Sequence, residues 1–228
     1  MAFADLFIAD ENELAEHYPS RAERRADMVV HFVGLIGGAV AAGALFSVAL
    51  ARGGVPLATG VALYAVCLMA MLACSAVYNL ARPSPARRVL RRLDEGAIFL
   101  MIAGSLTPFT MKLLPESLAH TMTAAVWAGA LAGAVGKVVW PRVSDAAWCL
   151  IYVAFAWAAV LAMLPAARGL AMSVLLLMAA GGVTYSAGVL IYLNQKLPYR
   201  RAIWHGIVVI GAGLHYAAIL TGVVLSGA

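Results

Sequence analysis

Long apolar runs alternate with short breaks along this chain, and that alternation leaves few folds open. The runs cover residues 28–51, 56–81, 95–114, 118–139, 146–165, 168–193 and 202–226. Each is near the ~20 apolar residues that a helix needs to cross the hydrocarbon core of a bilayer. The breaks fall at Arg52-Gly53-Gly54, Pro83-Ser84-Pro85, Leu114-Pro115, Trp140-Pro141-Arg142, Pro165 and Lys196-Leu197-Pro198, where Gly and Pro punctuate the backbone. In lipid, only helices and closed barrels satisfy their own backbone groups. A barrel strand alternates polar and apolar residues, and these runs do not. The expectation is an all-α polytopic membrane protein with seven transmembrane helices, a tail at 1–27 and a membrane domain at 28–226.

Composition agrees: 64% of residues are hydrophobic and 12% charged, against about 25% charged in soluble domains. The net charge of +5 sits in the breaks, so it reads as topology and not as a nucleic-acid surface. Thirteen of the sixteen Lys and Arg residues fall in the tail and in 82–94, 137–145 and 194–201. Arg52, Lys112 and Arg168 fall on the other side. Basic loops stay in the cytosol, which places the N-terminus there and the C-terminus outside, in the cell inner (plasma) membrane. The tail has no apolar stretch of the kind a cleaved signal carries. Its Asp10-Glu11-Asn12-Glu13 and Arg21, Arg24 and Arg25 suit a surface helix or an unstructured arm about equally. Cys67, Cys74 and Cys149 sit inside apolar runs, where a small buried hydrophobe is the ordinary role. Gly34-x-x-x-Gly38 and Gly129-x-x-x-Gly133 let helices approach closely; contact within one chain is favoured over a dimer seam. The partners expected are membrane lipids, with the chain a monomer or a weak homo-oligomer.

This topology gathers polar residues at one depth. Ser75, Tyr78 and Asn79 end the second run, Asp94 and Glu95 open the third, Arg201 and His205 open the last, and His31 lies near the start of the first. Ser75 and Asn79 share a helix face, as do Arg201 and His205. Taken singly, each has a plain reading: Asn79 or Asp94 as a helix cap, Arg201 as a headgroup contact, either histidine as an interfacial hydrogen bonder. Together at the inner leaflet they form a candidate site, because polar groups there are costly unless paired or used.

At these residues the chain resembles the hemolysin III family, part of the progestin and adipoQ receptor superfamily. Leu93-Asp94-Glu95-Gly96-Ala97-Ile98, followed by Ile102-Ala103-Gly104-Ser105-Leu106-Thr107-Pro108-Phe109, is similar to that family's third-helix pattern. Gly181 to Tyr192 resembles its sixth helix, and Ile203-Trp204-His205 through His215-Tyr216 its last. The resemblance implies a seven-helix fold with a cytosolic N-terminus, and a zinc ion near the inner leaflet held by one helix-two and two helix-seven histidines. It implies an Asp that orients a metal-bound water, and amide hydrolysis of a lipid, as in ceramidase-like relatives. Two of those histidine positions carry Asn79 and Arg201 here. Ser75, Asp94 and His205 remain as the candidate catalytic set, with His205 as base and Asp94 orienting it. No metal or other cofactor is expected. An Arg201–Asp94 ion pair, flanked by Asn79, Ser75, Tyr78, His31 and His205, is expected to stand in for the ion's charge. Zinc on a rearranged set such as His205, Asp94 and His31 is the alternative.

Overall fold

The structure, a computed structural model, describes residues 15–140, 142–164 and 169–226. The acidic stretch at 10–13, Pro141, Pro165 and Arg168 lie outside the described residues. The described chain is helical, with no strand: α1 (Arg21–Leu80), α2 (Arg87–Leu113), α3 (Glu116–Val139), α4 (Asp145–Met163), α5 (Met172–Leu193) and α6 (Arg200–Ile219), the last running into a π-helical turn at Leu220–Val224. All six are long and apolar enough to cross a membrane.

At 60 residues, α1 would be about 90 Å long if straight, three times a hydrocarbon core. It is two arms. Gly54 breaks the helical dihedrals with φ 60 and ψ −157, a region open essentially to glycine alone. Pro56 then sits in the first turn of the second arm, where its missing N–H costs nothing. The arms fold back on each other: a Cβ on Gly38 would come 2.7 Å from Leu72, and Arg24 Nη2 donates to the Leu80 carbonyl at 3.3 Å. Replacing Gly54 by alanine is expected to cost about 1–3 kcal/mol, read as a lowered midpoint in thermal unfolding of the detergent-purified protein.

Along the first arm, Asp27, His31, Gly34, Ala42, Leu45 and Ala49 are buried, while Val29, Phe32, Val33, Ile36 and Val40 are exposed. The helical period thus puts an apolar stripe outward, as a lipid-facing surface requires. Both Gly-x-x-x-Gly pairs are used inside the chain. Gly34 and Gly38 face Leu72 of the second arm, and Gly129 and Gly133 face Phe155 and Phe99. The three cysteines are free thiols, Cys67 and Cys149 buried and Cys74 half-buried.

Two helices start before the apolar runs do. α1 begins at Arg21, where the Ser20 side chain accepts from Glu23 N at 3.2 Å, so the last seven residues of the supposed tail are helical. α2 begins at Arg87, inside the stretch expected as a loop to residue 94. Arg and Leu are good helix formers, so each helix continues past the apolar run where hydropathy no longer marks it.

Candidate functional site

Four helix segments end at one level: the start of α1, the end of its second arm, the start of α2 and the start of α6. They carry the expected residues there, and Asn79 is the hub. Arg201 Nη1 donates to Asn79 Oδ1 at 2.8 Å. Asn79 Nδ2 donates to the Ser75 carbonyl at 3.0 Å and lies 3.4 Å from both Ser75 Oγ and His205 Nε2. On the other edge of its ring, His205 Nδ1 is 2.6 Å from Asp27 Oδ1. Asp27 Oδ2 accepts a short hydrogen bond from the Tyr18 hydroxyl. His31 Nε2, one turn from Asp27 on the same face, is 3.4 Å from that oxygen, and the two histidine rings lie 4.4 Å apart. Asp27, His31, Asn79 and His205 are all buried, Asp27 completely. A charged side chain so placed persists only when hydrogen-bonded on all sides.

This arrangement corrects the expected ion pair. Arg201 turns to Asn79, with its guanidinium 5.9 Å above the Tyr18 ring, and among the described residues no ion pair joins it to Asp94. Asp94 lies half-buried beside the Ser75 hydroxyl. The carboxylate that holds His205 is Asp27, not Asp94. Asp27 had been placed in the tail because the apolar run starts at Met28, yet its i, i+4 relation to His31 puts both on one helix face.

The arm before α1 also belongs to the site. Tyr18 is buried and donates a longer bond, 3.3 Å, to the Asn79 carbonyl. Arg87 Nη1 donates to the Ala15 carbonyl at 2.8 Å. Tyr78, expected within the cluster, stands at its edge: its hydroxyl is 3.5 Å from His17 Nε2, with the rings edge to face. Burial, and then the positive charges of Arg201, Arg87 and Arg91, push the His17 imidazole down to about 3, so it is neutral at physiological pH. Residues 15–20 form a strap across the polar end of the helices.

A second ionic group stands opposite. Glu95 Oε1 takes Arg91 Nε at 3.0 Å and Oε2 takes Lys137 Nζ at 2.9 Å. Arg91 also reaches Asp145 at 2.7 Å. Tyr152 donates to the Glu95 carbonyl at 2.9 Å, and Lys137 sits over the Trp148 ring at 4.9 Å. This ties α2, α3 and α4 together at the same level.

Between the two groups a cavity of about 560 Å³ opens, lined at one end by Ser75, Asn79, Asp94, Arg201 and His205 together with His31 and Tyr78. Further in, its walls are Met101, Leu106, Phe109, Val160 and Met178, and it reaches His215, whose ring meets Tyr185 edge to face at 5.6 Å. All seven expected site residues line this one cavity.

The zinc set implied by the resemblance does not fit these residues. Zinc takes imidazole, thiolate or carboxylate ligands; a guanidinium stays protonated, and Arg201 and the Asn79 oxygen are spent on each other. The described residues hold one group with three metal-type ligands, Asp27, His31 and His205, whose ligand atoms lie within 4.8 Å of one another.

Comparison with known proteins follows the same lines. The family described as Haemolysin-III related matches residues 22–216. A protein named Hemolysin-3, from Bacillus cereus, is 29% identical over 198 residues, covering 87% of this chain and 90% of its own. A Hemolysin-3 homolog from Bacillus subtilis (strain 168) is 27% identical over 158 residues, covering 69% of this chain and 74% of its own. With a match over most of its length, this membrane protein belongs to the haemolysin III family.

Proposed function

We propose that the protein is a lipid-binding member of its family, in a sensing or structural role in the inner membrane, and that it holds the polar end of a membrane lipid at the Asn79–Arg201–His205 cluster. In this reading the chain crosses the bilayer seven times, α1 supplying two crossings, with the N-terminus in the cytosol and the C-terminus outside. The fold-back at Gly54 and the bias of Lys and Arg support that count and orientation. The chain acts as a monomer or a weak homo-oligomer: both Gly-x-x-x-Gly pairs are occupied internally, while Gly206 and Gly213 face open space. The observation that carries the proposal is the cavity: about 560 Å³, within the ~300–1,000 Å³ range of ligand pockets, polar at its inner end and apolar beyond. A single-chain amphiphile matches that polarity gradient. Lipid extracted from purified protein and measured by mass spectrometry is expected to contain such an amphiphile in a fixed ratio to the chain. Ala156→Trp, which fills the apolar part of the cavity from α4, is expected to abolish it while leaving the unfolding midpoint unchanged. Equal lipid in both proteins would refute the assignment.

A second reading, a lipid amide hydrolase, is favoured by the 2.6 Å contact between Asp27 and His205, since a carboxylate orients a general-base imidazole in many hydrolases. Fatty acid released from an added ceramide by the purified protein would select it.

A further inference from the structure

We propose that Arg201, acting through Asn79, fixes the tautomer of His205, and that this fixed proton keeps Asp27 and His205 a hydrogen-bonded pair, with His31 beside it, instead of the three forming a divalent-metal site. A guanidinium only donates hydrogen bonds, so the Asn79 atom 2.8 Å from Arg201 Nη1 is the amide oxygen. A backbone carbonyl only accepts, so the Asn79 atom 3.0 Å from the Ser75 oxygen is the amide nitrogen. The amide is pinned from both sides and cannot turn over. Its NH2 group therefore faces His205 Nε2 at 3.4 Å, where only a lone pair is tolerated. The ring proton is left to Nδ1, which points at Asp27 Oδ1 2.6 Å away.

Ligation needs a lone pair on the nitrogen that faces the metal. In this cluster that nitrogen is Nδ1, the one carrying the proton. Moving the proton to Nε2 would set two N–H groups against each other. A metal there would also bring a second positive charge toward a guanidinium that the Asn79 oxygen holds in place. The two departures from the family's histidines are thus one device: Arg201 holds the oxygen of Asn79, and the held amide dictates the state of His205. Arg201 is a positioning residue in this account.

The test is the tautomer itself. Full-length protein labelled with 15N-histidine, reconstituted in lipid, reports by solid-state NMR which His205 nitrogen is protonated, with His205→Gln identifying its signals. The wild type is expected to show Nδ1 protonated alone. Asn79→Asp keeps an acceptor for Arg201 and turns an acceptor toward Nε2 while Asp27 still takes Nδ1–H, so Nε2 is expected to gain a proton and both nitrogens to be protonated. Arg201→Ala frees the amide to present its oxygen to Nε2 and is expected to add a population protonated on both nitrogens, since Asp27 still takes Nδ1–H. Wild-type protein incubated with zinc and dialysed is expected to retain none in stoichiometric amount. An Nε2-protonated wild type, an unchanged spectrum in either variant, or stoichiometric zinc in the wild type would overturn the proposal. The two wild-type measurements can overturn it even where a variant fails to fold.

Discussion

Asp27→Ala is expected to destabilise the protein by about 3–5 kcal/mol, the cost of breaking a buried charged contact from one side. The carboxylate is completely buried and takes the Tyr18 hydroxyl on one oxygen and His205 Nδ1 on the other. Its removal leaves His205 Nδ1 without an acceptor, at about 1–3 kcal/mol of lost solvation, and Tyr18 with only its longer bond to the Asn79 carbonyl. Chemical denaturation in mixed micelles measures the loss. A double-mutant cycle with His205→Ala should recover a large part of it, because the second change removes one orphaned donor. A loss under about 1 kcal/mol would mean that Asp27 is not the anchor of the cluster.

Glu95→Gln is the other substitution with a large expected effect, also about 3–5 kcal/mol. Lys137 is only 7% exposed and has its ammonium 2.9 Å from Glu95. Glutamine keeps the shape and removes the charge, so the ammonium stays buried over Trp148 with no carboxylate beside it. Arg91 is less affected, since it keeps Asp145 at 2.7 Å. Adding Lys137→Met to Glu95→Gln should restore most of the stability, by removing the stranded charge and replacing it with an apolar chain of similar length. If the double substitution is no better than the single one, the Lys137–Glu95 contact is not what holds α3 to α2 at this level.

Hydropathy carried most of the fold because it measures the property that a bilayer selects. The expected runs and the observed helices agree to a few residues where the chain leaves the membrane at Pro or Gly, as at Gly54 and Leu114. They part where a helix continues past the oil, as at Arg21 and Arg87, because polar helix formers do not register as membrane. The site was legible as a level but not as a set of contacts. Helical rise gives depth, and so His31, Ser75, Asn79, Asp94, Arg201 and His205 were expected at one level; all of them line one cavity. Rotation about each helix axis decides which of them touch, and it turned Arg201 toward Asn79 and away from Asp94. Asp27 had a sequence signal in its spacing from His31. Tyr18 had none: its role depends on a six-residue strap folding back over helix ends far away in the chain.

That strap has a mechanical side. The two arms of α1 are joined at one end by Gly54 and at the other by Tyr18 and Arg24 reaching Asn79 and Leu80, so they form a post braced top and bottom. Any widening of the chamber to admit a guest then falls to the far wall. There, among the described residues, the one side-chain hydrogen bond between α4 and α5 is Trp157 Nε1 donating to Ser186 Oγ at 3.1 Å, a neutral bond that the tail of the proposed amphiphile would part without disturbing the buried charges.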